Sequence, residues 1–165
     1  MNSCKKYTAL AILLFVALSC GLPAQQKPAE TRAVDVAVIV NPMNPLDSIS
    51  TSDLRRIFSG EKLSWGSGLP VEVFVRAPHA HERDVLLGRV LHMTESEYKA
   101  LWVKKVYSGE AQREPLPLMS NGMQLEAVRA ERGGIALIAM QDLHPGVKVL
   151  KVDGKLPGAS GYSLR

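Results

Sequence analysis

The chain has 165 residues, 20 of them Lys or Arg and 16 Asp or Glu, for a formal net charge of +4. Lys5 and Lys6 account for half of that surplus, so the rest of the chain offers no basic face for nucleic acid or an anionic membrane. Its two cysteines, Cys4 and Cys20, fall in the same leading segment, which excludes a disulfide framework, a redox pair or a thiolate metal site elsewhere.

Residues 1–24 read as a secretory signal. Lys5 and Lys6 precede the apolar run ALAILLFVALSC, and Ala24 is a small residue at which cleavage would leave a chain beginning at Gln25. The run is shorter than the roughly 20 residues needed to span a bilayer. A second processing route stays open. ALSC, ending at Cys20, is similar to the lipobox of bacterial lipoproteins, with Ala17 where that pattern usually has Leu, and would place a lipid on Cys20. Either route predicts export to the periplasm. Residues 25–33, QQKPAETRA, are polar and are expected to form a flexible leader. Residues 34–165 are expected to fold as one domain.

Asp35 to Asn41, DVAVIVN, is almost continuously apolar and β-branched, which predicts a strand buried on both faces in a parallel sheet covered by helices. PMNPLD breaks the chain. A helix follows, with Ser50 and Asp53 as a capping pair, Leu54, Ile57 and Phe58 at helical spacing, and Gly60 closing it in left-handed geometry. EKLSWGSG is a loop holding Trp65, and VEVFVR alternates well enough for a second strand. In the next helix Leu86 pairs with Val90 and Leu87 with Leu91. Another starts at the capping box Thr94–Glu97 and is expected to bury Tyr98, Leu101, Trp102 and Val106 on one stripe.

LPLM is a short strand at best. Ser120 caps a further helix whose inner face carries Leu125 and Val128, and IALIAM is a second strand apolar throughout. VKVLKV alternates with lysines outward and belongs near a sheet edge. The tail DGKLPGASGYSL is expected to be loop plus a final short strand. Strands alternating with helices predict an α/β domain with a mainly parallel sheet flanked by helices.

These pieces resemble, in order and spacing, the phosphate ABC transporter substrate-binding proteins. VAVIVNPMNPLDSISTSDLRRIFSGEKLSWGSG is similar to that family's strand, NP turn, helix ending in IFxG, and Trp. VEVFVRAP is similar to its strand ending in Arg. LWVKKVYSG, SNGMQLEAVRAERGGIALI and the closing DG with Tyr162 continue the order, from Val36 to Leu164. The resemblance implies the type II periplasmic binding protein fold, in which two lobes clamp an anion. The chain is long enough for a single lobe, the one continuous in sequence. One lobe offers half a pocket and cannot close over a ligand, so water weakens each anion contact.

The resemblance carries over one phosphate-contacting position by residue type, Arg76. The family's Ser-Gly-Thr loop after that Arg is PHAHER here, and its GxIGY is GGIALI, with Ala136 and Leu137 in place of Gly and Tyr.

The candidate anion ligands are Arg76, His79 and His81 around the loop after the second strand, and Ser120, Asn121 and Gly122 at a helix start. Unpaired N–H groups and the helix dipole favour an anion at a helix N-terminus, but Glu82 and Asp84 already place carboxylates there. Arg76 therefore either holds an oxyanion or pairs with one of these acids and leaves the loop self-neutralised. SNG is a second nest or an ordinary cap.

His79 and His81 with Glu82 resemble part of a metal site, short of the usual three protein ligands, and neither metal nor cofactor is expected. No catalytic triad, metal-hydrolase spacing or phosphate-cradling glycine loop appears, which points away from an enzyme. The expected function is that of an exported solute-binding-like domain that weakly binds phosphate or another small oxyanion, in connection with a membrane transporter for phosphate. The alternative is a ligand-free periplasmic interaction or sensor-accessory module that keeps the fold.

Overall fold

Six strands form one sheet in the order β2-β6-β1-β5-β3-β4. In chain order they are β1 (Val36–Val40), β2 (Ser48–Ile49), β3 (Glu72–Arg76), β4 (Leu116–Leu118), β5 (Gly134–Ala139) and β6 (Lys148–Val152). The computed structural model describes residues 34–165. The signal segment, Cys20 and the leader lie outside the described residues.

Pairings β3–β5, β3–β4 and β2–β6 are parallel, whereas β1 runs antiparallel to both β5 and β6. Five strands therefore share one direction and β1 alone opposes them. The expected buried first strand is present, but its apolar composition reports double burial rather than direction. Val36, Val38 and Val40 face one core and Ala37 and Ile39 the other. With water excluded from both faces, neither set of alternating positions needs to be polar.

The first core packs the sheet against α1 (Thr51–Phe58), α2 (His81–Val85) with the wide helical turn Leu86–Leu91 that continues it, and α3 (Glu95–Tyr107). The second packs it against α4 (Asn121–Ala130) through Leu125 and Val128. The result is a three-layer α/β/α arrangement.

Local capping chemistry sets the helix ends. Ser50 accepts the Asp53 N–H at 3.0 Å, Thr94 and Glu97 complete a reciprocal capping box, and Ser120 Oγ accepts the Met123 N–H at 3.1 Å. At the far end of α4, buried Asn41 donates through Nδ2 to the carbonyls of Val128 and Arg129, both at 3.0 Å. The Asn after β1 thus satisfies carbonyls that the last turn of a helix leaves without partners. Trp65 is anchored in the same way, its Nε1 donating to Gly133 O at 3.0 Å.

Two expectations need correction. The α3 stripe buries Tyr98 and Trp102, but Leu101 is only half-buried and Val106 is 40% exposed. Residues at i, i+4, i+8 rotate steadily around a helix of 3.6 residues per turn, by about 80° over this span, which carries Val106 out of the core. The tail forms no final strand, and Leu164 only accepts a single N–H, from Val36 at 2.9 Å. Tyr162 anchors it instead, buried and donating its hydroxyl to Val36 O at 2.8 Å. Among the described residues no helix is long and apolar enough to cross a membrane.

Candidate functional site

β3 delivers Arg76 to the carboxyl end of the sheet, the end at which open α/β sheets gather ligands. Its Nη1 donates to Leu118 O at 2.8 Å and ties the guanidinium to the end of β4. Its Nε lies 3.4 Å from Glu82 Oε2, an ion-pair distance without an aligned hydrogen bond.

Glu82 is only 4% exposed. Its Oε1 accepts the backbone N–H of Ala139 at 3.2 Å and Asn121 Nδ2 at 2.5 Å. The same Nδ2 donates to Asp142 Oδ2 at 2.7 Å. Burying a carboxyl group is costly unless its lone pairs are met, and here one guanidinium and two N–H donors meet them. Glu82 thereby joins β3, β5 and α4 at one point. Of the two acids that could neutralise the loop, Glu82 pairs with Arg76, while Asp84 is exposed.

Above this junction opens a cavity of about 340 Å³ lined by Arg76, Ser120, Asn121, Gly122, Leu125, Asp142 and His144. Four of the six expected anion ligands are therefore gathered in one place. Ser120 serves as an ordinary cap through its lone pair, which leaves its O–H free to donate into the cavity.

The two loop histidines stand elsewhere. His79 is exposed with φ +67°, and lines a separate depression with Asp84 and Glu95. His81 is already the first residue of α2, and its Nε2 donates to Val34 O at 2.8 Å. The left-handed turn at His79 ends the extended segment on which both rings would share a side. Among the described residues no group of three or more His, Cys, Asp or Glu side chains gathers as a metal-ligand set.

Sequence reasoning missed Asp142 and His144, which reach the cavity from the turn after β5. Their place follows from β5 running parallel to β3, which no local pattern encodes. At the opposite end of the sheet a wider cavity of about 680 Å³ has an apolar floor of Ile57, Val71, Val73 and Trp102. Its two rim cations each pair with an acid, Arg113 with Glu72 at 2.7 Å and Lys62 with Asp53 at 3.1 Å, so it shows no convergent cation.

No family model matches the chain. No curated protein matches it in sequence. Solved structures do resemble it. An ABC-type phosphate transport receptor from Vibrio cholerae superposes with a TM-score of 0.64 at 16% identity, covering 79% of this chain and 53% of its own. PstS from Borrelia burgdorferi gives 0.62 at 15% identity, covering 79% of this chain and 54% of its own. A Clostridium perfringens protein assigned as a phosphate ABC transporter substrate-binding protein, with bound phosphate, gives 0.61 at 18% identity and covers 75% and 47%. The chain spans about half the length of each. It has the α/β fold of a single lobe of a type II periplasmic binding protein.

Proposed function

We propose that this chain is an exported solute-binding-like domain, not an enzyme, that holds phosphate or a similar small oxyanion weakly at Arg76 and connects with a membrane transporter for phosphate. One observation carries the reading: Arg76, the Ser120 hydroxyl and the start of α4 converge on one open cavity at the carboxyl end of the sheet. The phosphate named in the resembling structures supports that class of ligand. Glu82 makes the binding weak. An incoming oxyanion competes with its carboxyl group for one guanidinium, in a site open to water.

Titration calorimetry with inorganic phosphate tests the reading. The expected affinity is millimolar or weaker, about −4 kcal/mol or less favourable. Glu82→Gln keeps the side-chain shape and removes the competing charge, so it should tighten binding, and adding Arg76→Ala should abolish the gain. If phosphate binds neither the parent nor Glu82→Gln, the oxyanion reading falls. The pairing of Arg76 with the buried Glu82 favours a second reading in that case, a periplasmic interaction or sensor-accessory module whose former anion loop has become a structural tie.

A further inference from the structure

The Arg76 cavity carries an unbalanced charge. Arg76 and Glu82 stand as an ion pair at 3.4 Å, so together they are neutral. Asp142 is a further carboxylate, on the lining of the same cavity. Its Oδ2 accepts Asn121 Nδ2 at 2.7 Å, and among the described residues it forms no ion pair. The same Nδ2 serves Glu82 Oε1 at 2.5 Å, so the two acids share one amide nitrogen and stand close together. An amide donates hydrogen bonds but brings no charge to cancel theirs. A bare phosphate entering here meets one guanidinium and two carboxylates, of which the second is uncompensated.

The cavity is also larger than a bare phosphate requires. At about 340 Å³ it falls within the roughly 300–1,000 Å³ of small-molecule sites. Arg76 Nη1 is bonded to Leu118 O and Nε faces Glu82, which leaves Nη2 to receive an oxyanion. A cation with an open donor and an acid with no counter-ion thus share one hollow. The short chain of contacts Arg76, Glu82, Asn121, Asp142 holds them in fixed relation.

We propose that the ligand of this cavity is a zwitterion: a phosphoryl oxyanion bearing an ammonium group on a short carbon chain, the oxyanion on Arg76 and the ammonium on Asp142. The proposal rests on the oxyanion reading given above and narrows it. The ammonium supplies the positive charge that the lining lacks, and its N–H groups donate to the Asp142 carboxylate in a charge-assisted bond. A phosphoryl group without the amine forgoes that bond and also meets the unpaired acid.

Calorimetric titration with O-phosphoethanolamine and with ethyl phosphate, at equal pH and ionic strength, tests the proposal, because the probes differ only in the amino group. O-Phosphoethanolamine should bind about tenfold more tightly, the worth of one hydrogen bond to a charged group. Asp142→Asn keeps the side-chain shape and an acceptor oxygen for Asn121. With circular dichroism confirming its fold, that variant should bring the two affinities within about twofold of each other. Arg76→Ala should weaken both. Equal affinities in the parent protein overturn the zwitterion and leave the oxyanion reading standing. A preference that survives Asp142→Asn puts the ammonium on another group and also overturns the proposal. So does ethylamine binding as tightly as O-phosphoethanolamine, since the oxyanion would then contribute nothing. A protein that binds none of these probes, nor inorganic phosphate, removes the oxyanion reading as well.

Discussion

Gly60 sits at φ +70° against the indole of Trp102, so that a Cβ placed on it would lie 2.6 Å from Trp102 Cη2. Trp102 is 5% exposed and closes the first core. Trp102→Ala should therefore cost about 3–5 kcal/mol, read from the denaturant midpoint. Gly60→Ala should cost about 1–3 kcal/mol, from left-handed strain and from pushing the indole off its seat. A loss under about 1 kcal/mol for Trp102→Ala would contradict the packing described. Tyr98, edge-on to Trp102 and beneath the Arg83 guanidinium, has its hydroxyl pushed up by burial from 10.0 to about 12, against the opposing pull of Arg83. The folded state thus keeps its proton after the unfolded chain has lost it. That contribution is complete below pH 10 and is lost as pH rises from 10 towards 12. Stability should fall across that window, and Tyr98→Phe should make the fall shallower. An unchanged slope in the variant would rule Tyr98 out as its source. At this scale Arg76 and Ser120 to Gly122 were legible, because a strand end and a cap are signalled by adjacent residues. Asp142 and His144 were not, because only the sheet's pairing brings them in.

Elements repeat the same division between local and non-local information. Ser50, Thr94 and Ser120 identify three helix starts from four-residue windows, and all three caps form. β2, two residues long and held only by β6, is too short to leave a periodic trace. The direction of β1 is equally silent, since hydrophobic burial on both faces has no polarity. Its neighbour β5 lies between β1 and β3 with all six residues buried. Its amides from Ile135 to Ala139 should exchange with deuterium among the slowest in the protein, opening only on global unfolding. Fast exchange there would contradict the strand order. Asn41 offers a second test of how elements are joined. Asn41→Ala strips two carbonyls at the end of α4 of their donors and should cost about 1–3 kcal/mol in chemical denaturation. An effect near zero would mean that water replaces the side chain without loss.

For the whole molecule, the reversed direction of β1 has a practical consequence. Val36 pairs with Ala139, so the first strand starts where β5 finishes, and Leu164 accepts a hydrogen bond from Val36 beside it. Both limits of the folded chain therefore lie at the end of the sheet that bears Arg76. A bulky label fused after Arg165 would stand at the same end of the sheet as the cavity, on the side of His81 and Asp84, as would a linkage that fixes the protein to a sensor chip through that end. The exposed turn at 66–68 precedes β3 and lies at the other end of the sheet. A fluorophore or surface linkage placed there leaves the mouth unobstructed. Phosphate titrations on protein coupled through that turn should reproduce those in solution, whereas coupling through Arg165 should suppress them.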